Sequence, residues 1–324
     1  MSTQLILKED NPVLFWQAWE DLVGSQGCSS RYFRISLEHD ILIAKIRGKH
    51  FADKSFVYLE NNRPLAMAFL PVEKIGDYYL IANDINDGYV DAPICANEAV
   101  EKKVYTMIDE LARNHHIAKI MLAINPLEKK PVGYNYLQKY DYLDTTILKF
   151  VIDLSAADLL AGCRKGHRND IKKYLQADSI RPIIVNQDNF NLDLCEQYKL
   201  LHYKCAGRVT WPQEFFESQY QKIKQGIASL VGLEYEGRNV AFSYFEHGNG
   251  EVIYASGADD PDYDKLPLYH LMLYYAMTHF QRLGARHIDT EQPASPSAQW
   301  DYYPDAKQHN IAFFKRGFPG DYLS

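Results

Sequence analysis

Residues 230–257 read LVGLEYEGRNVAFSYFEHGNGEVIYASG, and their pattern decides the fold. Leu230–Tyr235 is apolar and ends at Glu236-Gly237-Arg238. Val240–Phe245 ends at His247-Gly248-Asn249-Gly250, and Val252–Ser256 completes the set. Gly-containing turns between β-rich runs predict antiparallel hairpins. A helix follows over about Lys265–Leu283, then a short strand at His287–Asp289.

The same plan occurs in the front half. Ser55–Glu60, Leu65–Pro71 and Tyr78–Ala82 read as strands separated by Asn61-Asn62-Arg63-Pro64 and Lys74-Ile75-Gly76-Asp77. A helix over about Asn97–Arg113 and a strand over Ile117–Ile124 follow. SFVYLENNRPLAMAF and SLVGLEYEGRNVAFSY align almost without gaps, which implies two similar domains. The length of 324 residues agrees, at about 150 residues per domain.

The net charge of −7 argues against a protein that coats nucleic acid through a broad basic surface, but leaves room for a local basic patch. The 24 tyrosines are compatible with polar, flat-ligand clefts. The five cysteines, Cys28, Cys95, Cys163, Cys195 and Cys205, are scattered, with no CxxC and no zinc spacing. They read as reduced, which predicts a cytoplasmic chain. The N-terminal residues show no signal-peptide core, and no apolar run reaches the ~20 residues of a membrane span.

Asn11 caps an expected first helix to about Gly24, with Pro12 at its first position. Cys28–Glu38 reads as irregular, and Ile41–Arg47 as a strand or a helical turn. The loop Asn83–Cys95 carries Asp84, Asp87, Tyr89 and Asp91, either as a site-lining loop or as a solvated acidic connector. Val132–Tyr140 reads as a short helix and Ile147–Leu154 as the strand opening the second half. With no Gly/Ser-rich linker near Tyr142–Leu148, the halves are expected to pack together, and a cleft between them is the expected place for a ligand. Ala156–Ala177 is predicted to be one helix carrying Arg164-Lys165-Gly166-His167-Arg168 and Lys172-Lys173, either a solvated face or a phosphate-binding patch. Helices over Asn191–Cys205 and from Trp211-Pro212 follow, the second with Thr210 as its cap. Near the end, in QHNIAFFKRGFPGDYL, Phe313, Phe314 and Phe318 surround Lys315 and Arg316. Buried there, the Lys315 ammonium needs an anionic or carbonyl partner. The other reading is a lysine snorkelling past an apolar plug.

The sequence contains no Walker A, GxSxG, HExxH or dinucleotide GxGxxG motif. The layout of strands, turns and helices resembles the GNAT type of N-acyltransferase domain, which holds the pyrophosphate of coenzyme A on a [QR]xxGx[GA] loop. The nearest match, Gln281-Arg282-Leu283-Gly284-Ala285-Arg286, ends in the wrong residue and follows the wrong helix. A tandem acyltransferase fold without that loop points to another acyl carrier.

Four stretches carry a closer likeness: RKGHRNDIKKYLQADSI, WPQEFFESQY, IYASGADDPDYDKLPLYHLMLYYAMTHFQRLGARHIDTEQ and FFKRGF. In that order they resemble the FemAB-like aminoacyltransferases, tandem GNAT-like proteins that move an amino acid from aminoacyl-tRNA to an amine. The likeness covers about residues 145–320, and the front half by architecture. It implies that Phe314 and Lys315 line the acyl-transfer site. Lys315 would then meet charge developing on the carbonyl oxygen, or a tRNA phosphate. It puts Tyr254 on the strand that bears a cleft tyrosine, and it turns Arg164, Lys165 and Arg168 toward phosphates of the tRNA end or of the acceptor. Trp211 stands where cell-wall members carry a diphosphate-binding arginine, with Arg208 three residues away. The loop DGYVDAPI, with Tyr89 and Asp91, lacks the family's Gly-Pro pair. Asp91 is the candidate for taking the amine's proton.

The expectation is a mixed α/β (α+β) chain of two tandem GNAT-like domains, 1–145 and 146–317, each a largely antiparallel sheet flanked by helices. The tail, 318–324, is free to pack on the first domain. The acyl donor is a co-substrate, aminoacyl-tRNA, and no cofactor or metal is expected. The acceptor is an amine on a nucleotide- or lipid-linked cell-envelope precursor, of peptidoglycan or surface-polysaccharide type. The alternatives are an acyl-CoA-dependent N-acyltransferase acting on an aminosugar, and a non-catalytic binding module. No oligomeric state follows from the sequence.

Overall fold

The computed structural model describes residues 2–82, 88–125, 127, 135–176, 179–293 and 303–323. The chain divides into two compact units, Met1–Asp144 and Thr145–Ser324.

The first unit runs β1 (Thr3–Leu7), α1 (Pro12–Gln26), α2 (Arg34–Ile46), β2 (His50–Asp53), β3 (Phe56–Glu60), β4 (Arg63–Ala68), β5 (Pro71–Ile75), β6 (Tyr78–Ile81), β7 (Val90–Asp91), β8 (Ile94–Cys95), α3 (Glu98–Asn114), β9 (Ile117–Ile120) and β10 (Leu122–Ala123). Asn11 accepts from the Leu14 N–H at 3.1 Å and Pro12 opens α1, so the first helix starts where turn chemistry predicts. Its Phe15, Trp16, Trp19 and Leu22 enter the core, and the Trp19 indole donates to the Tyr32 carbonyl at 2.7 Å. The segment read as irregular holds a 3-10 turn, Ser30–Tyr32, and the start of α2. The run ILIAKI has strand-like composition, but Leu37, Ile41 and Ala44 lie at helical spacing and are buried. Residues 136–140 form a 3-10 turn, and 132–134 lie outside the described residues, as do Asp84 and Asp87.

The second unit runs β11 (Lys149–Asp153), α4 (Leu159–Gly162), α5 (Lys165–Leu175), β12 (Ile180–Val185), α6 (Leu192–Ala206), α7 (Gln213–Lys224), β13 (Ala228–Tyr235), β14 (Arg238–Gly248), β15 (Glu251–Asp259), α8 (Leu268–Arg282), β16 (His287–Pro293), α9 (Ala306–Lys315) and β17 (Gly320–Leu323). Its strands form one sheet in the order β12-β13-β14-β15-β16-β11-β17. Neighbouring side chains on β14 serve opposite faces. Ser243 and Phe245 meet Met272 and Phe280 of α8, whereas Tyr244 meets Tyr198 of α6.

The internal repeat is visible in the pairing. β3 and β13 are each hydrogen-bonded to an antiparallel partner on either side, β1 and β4 in one unit, β12 and β14 in the other. In both units the hairpin sequence is followed by a helix, α3 or α8, and a parallel strand, β9 beside β6 or β16 beside β15. The hairpin turns use the residues that tolerate a left-handed backbone: Asn61 and Asn62 at φ 50° and 61°, and Asn249 and Gly250 at 50° and 86°.

Three expectations change. The predicted single helix 156–177 is two, α4 and α5, because the chain leaves the helical conformation at Cys163 and Arg164. Thr210 does not cap α7. Its hydroxyl bonds His202 Nδ1 at 2.8 Å, and Pro212 stands at the cap with no side-chain acceptor. The tail does not leave for the first unit: β17 pairs antiparallel with β11, Lys149 opposite Leu323 and Ile152 opposite Gly320. Among the described residues no helix is long and apolar enough to cross a membrane.

Candidate active site

β15 and β16 pair in parallel only through Glu251–His287, Val252–Ile288 and Ile253–Asp289. Beyond that point β15 continues to Asp259 on β14, while β16 continues to Pro293 on β11. The sheet therefore forks. On the β16 arm, Asp289 lies opposite Val151 and Pro293 opposite Lys149, so four steps on one strand match two on the other. This bulge is turned by Glu291, a non-glycine residue at φ 57°, whose N–H is held by the Asp289 carboxylate at 2.8 Å. The buried Thr290 hydroxyl donates to the Phe150 carbonyl at 2.7 Å.

The Thr290 carbonyl accepts from Lys315 Nζ at 2.6 Å. Lys315 is 7% exposed, so it does not snorkel; it has the carbonyl partner that burial demands. Its ammonium also lies 4.7 Å from the centre of the Tyr254 ring, on the other arm of the fork. Burial lowers its pKa to about 8, against the opposing pull of Glu291 and Asp289, with Lys149 lowering it further. Burial pushes the Tyr254 phenol up to about 12, which keeps it a hydrogen-bond donor. That ring folds back over Gly257: a Cβ there would stand 2.3 Å from the Tyr254 hydroxyl.

α9 brings Lys315 to the fork. It starts with a capping box in which Asp305 accepts from the Gln308 N–H at 2.7 Å and Gln308 accepts from the Asp305 N–H at 2.8 Å. Its end is held by the Arg164 N–H, which donates to the Gly317 carbonyl at 2.8 Å, and by His167 Nε2, 2.9 Å from the Phe314 carbonyl. The Phe314 ring packs among His167, His270, Tyr269 and Phe318.

The basic segment sits beside this end. The Arg164 guanidinium lies over the Phe313 ring at 4.4 Å, and Arg316 lies over the same ring at 5.2 Å. Lys165 is exposed at the start of α5. Arg168 is partly committed, donating to the Ala161 carbonyl at 3.0 Å. Lys315, Phe314, Tyr254, Arg164, Lys165 and Arg168 thus belong to one neighbourhood of the second unit. Trp211 stacks on Phe215 at 4.5 Å, and Arg208 is exposed beyond the C-terminus of α6. Asp91 and the buried Tyr89 belong to the first unit, where Asp91 lies opposite Ala123 on β10.

Sequence reasoning missed three groups. Glu291 and Asp289 beside Lys315 follow only from the bulge. His167 and His270, with rings 4.3 Å apart, carried no motif signal. Asp259, at the end of β15, has its pKa raised by burial and takes a contact from the Cys205 thiol at 3.6 Å. The near-match 281–286 ends α8: Gln281 donates to the Leu154 and Ala156 carbonyls at 2.7 and 2.8 Å, and Gly284 takes φ 84°. The entry to α8 is acidic instead. Asp260, Asp262 and Asp264 precede it, Lys204 bridges the first two at 2.6 Å each, and Pro267 provides no side-chain cap.

Residues 161–294 match the acetyltransferase (GNAT) domain family. No curated protein matches the chain in sequence. Among solved structures, FemX superposes with a TM-score of 0.69 at 12% identity, covering 100% of this chain and 95% of its own. The C-terminal domain of a putative lysylphosphatidylglycerol synthetase from Agrobacterium fabrum gives 0.58 at 13% identity, covering 89% and 91%. A structure named L-PGS, from Bacillus licheniformis, gives 0.57 at 14%, covering 90% and 91%. Residues 161–294 therefore match a GNAT acetyltransferase domain, and the chain over its whole length shares the fold of FemX.

Proposed function

We propose that this protein transfers an aminoacyl group from aminoacyl-tRNA to an amine of a cell-envelope precursor. The observation that carries the reading is the layout of charge around the fork. A coenzyme pyrophosphate is held by free backbone N–H groups at a helix N-terminus behind a glycine-rich loop. Here the entry to α8 carries Asp260, Asp262 and Asp264, which repel such a group. The cations gather at Arg164, Lys165 and Arg316, next to the end of α9 that delivers Lys315. A donor whose phosphates approach from α5 suits that layout, and the 3′ end of a charged tRNA is such a donor. The likeness in fold to the domain of a putative lysylphosphatidylglycerol synthetase, whose name gives a lysyl-bearing lipid as product, supports an aminoacyl group as the one transferred.

The acceptor amine attacks the ester carbonyl, forming the C–N bond, and the carbonyl electrons move onto oxygen. Lys315, protonated below pH about 8, faces that oxyanion. Collapse breaks the ester C–O bond and returns the ribose hydroxyl, which takes a proton, while the amine's proton passes to water. The remaining contribution is the positioning of two bound substrates. Since the useful form of Lys315 is the ammonium, turnover should fall as the pH rises through about 8.

The test follows labelled amino acids from charged tRNA into nucleotide- and lipid-linked amine acceptors, with acetyl-CoA run in parallel. Transfer from charged tRNA, lost in Lys315→Ala, supports the proposal. Transfer from acetyl-CoA alone would replace it with the acyl-CoA-dependent reaction, and binding without turnover of either donor would leave a binding module.

A further inference from the structure

We propose that His167 is a positioning residue which locks the end of α9, and so sets Lys315 against the Thr290 carbonyl, through a single imidazole tautomer shared with Arg164. The role rests on reading Lys315 as the cation of the acyl-transfer site.

The two ring nitrogens of His167 have partners of opposite kind. Nδ1 lies 3.3 Å from Arg164 Nη2, and Nε2 lies 2.9 Å from the Phe314 carbonyl oxygen. A guanidinium only donates and a carbonyl only accepts. Nδ1 must therefore be the bare nitrogen and Nε2 must carry the hydrogen. Both contacts call for the same neutral tautomer. Phe314 immediately precedes Lys315, so the bond from Nε2 holds the peptide from which the lysine projects into the fork. The chain leaves no slack on the far side. A Cβ on Gly317 would stand 2.1 Å from His167 Nε2, so the backbone after α9 lies directly against the imidazole. The ring is buried (3% exposed), its edges and faces closed by His270 at 4.3 Å, Phe314 at 5.1 Å and Phe318 at 5.0 Å.

The charged and titratable groups facing it are few. Arg164 stands at the start of α5. His270 comes from α8, with its Nε2 3.9 Å from the Asp170 carboxylate of α5. α9 contributes the Phe314 carbonyl. Burial, followed by Arg164, lowers the His167 pKa, while the carbonyl bond and Asp170 oppose the shift. Protonation would put an N–H on Nδ1 against the guanidinium, which accounts for the direction of the Arg164 effect. The arrangement links the arginine read as a phosphate contact to the lysine read as an oxyanion contact by one ring, with a donor on one side and an acceptor on the other.

The test reads the amine and the imidazole themselves and needs no substrate, so it stands apart from the test of the reaction. With lysine labelled at Cε, the pH titration of Lys315 in the full chain is followed by NMR, assigned by its loss in Lys315→Arg. The wild type should titrate near pH 8. His167→Phe, which keeps a ring and removes both polar contacts, should raise the midpoint by about one pH unit or more, toward an ordinary lysine, as the loosened end of α9 lets water reach the amine. His167→Gln, whose amide nitrogen reaches as far as Nε2 and can donate to the Phe314 carbonyl, should restore it. An unchanged midpoint in His167→Phe overturns the proposal. So does an equal rise in both variants, which would assign the effect to ring packing. If His167→Phe does not fold, the wild-type imidazole ¹⁵N resonances decide: a neutral Nε2–H tautomer at pH 7 agrees, and an Nδ1–H tautomer refutes it.

Discussion

The two units share the order of hairpins, helix and parallel strand and differ in how their strands are gathered into sheets. In the first, the strands that follow β3 divide among three sheets, β4 with β1, β3 and β8, β5 with β2, β6 and β9, and β7 with β10. In the second, β14 runs unbroken for 11 residues and keeps the sheet whole as far as the fork. The helices after the hairpins differ as well. α3 is capped by Asn97, which accepts from the Val100 N–H at 3.0 Å, and carries Glu98 and Glu101 in its first turn. α8 starts at Pro267 with no side-chain cap and no acidic residue in its first turn. The first helix is capped by a side chain, whereas the second has none there and turns its Leu268 N–H back to the Leu266 carbonyl at 2.9 Å.

The largest effect should separate the copies most sharply. Lys315→Ala should slow acyl transfer by roughly 100-fold to 1,000-fold, the range for losing a group aimed at an oxyanion, with unchanged far-UV circular dichroism. Asp91→Asn, in the first unit, should cost less. An equal or greater loss from Asp91→Asn, measured as kcat/KM, would break the division of labour.

Acid comes next. Burial lowers the pKa of five histidines in the second unit, His167, His202, His247, His270 and His279, and that of His50 in the first. A buried neutral histidine contributes its full stability above pH about 6.5 and loses it as the unfolded chain gains protons that the folded one refuses. For His270, whose folded value is about 4, the loss between those limits is on the order of 3 kcal/mol. Hydrogen exchange of the whole chain should therefore show α5 and α8 losing protection before α1 and α3 as the pH falls from 6.5 to 4. The opposite order would contradict the burial argument.

Lys315 should carry a stability cost that the first unit does not share. Its pKa is lowered by burial, so below pH about 8 the folded state holds a charge it would rather lose. Lys315→Met should stabilise the protein by on the order of 2 kcal/mol at pH 7, the desolvation relieved less the lost hydrogen bond. The gain should shrink as the pH rises from about 8 toward 10, where the folded state has shed a proton that the unfolded chain still holds. Paired denaturant melts at pH 7 and pH 10 measure it, and a destabilised variant at pH 7 would count against an unfavourable buried charge. The smallest effect concerns the helix starts. Asn97→Ala should cost about 1 kcal/mol, a normal cap loss. Pro267→Asp should leave stability nearly unchanged or slightly improved, because a carboxylate at the cap can accept from the first-turn N–H groups.

What was legible in the sequence was what neighbours in sequence decide. Asn11, Asn97 and Asn191 cap helices through bonds spanning three residues, and Asn61-Asn62 and Asn249-Gly250 turn hairpins by their own backbone freedom. The repeat was legible for the same reason. Lys315 stood out because an ammonium among phenylalanines is chemically unusual, but its partner could not be read. The Thr290 carbonyl becomes available only through a bulge defined against β11, some 140 residues away in sequence. The tautomer of His167 depends on α9, 147 residues on. α2 was hidden because a β-branched run takes helical form when packing requires it. The tail was misplaced because edge pairing with β11 leaves no local mark.

The position of β11 has a consequence for how the protein is made. It is the first strand of its unit to leave the ribosome, yet its partners, β16 and β17, are the last. From the synthesis of Asp153 until that of His287, the apolar run Phe150-Val151-Ile152 has no strand to join. At typical elongation rates of roughly 5–20 residues per second, that interval lasts on the order of 10 s. The nascent chain must shelter an unpaired edge through that delay, by transient collapse or by a chaperone. A ribosome that stalls before β16 exposes a sticky strand as well as an inactive fragment.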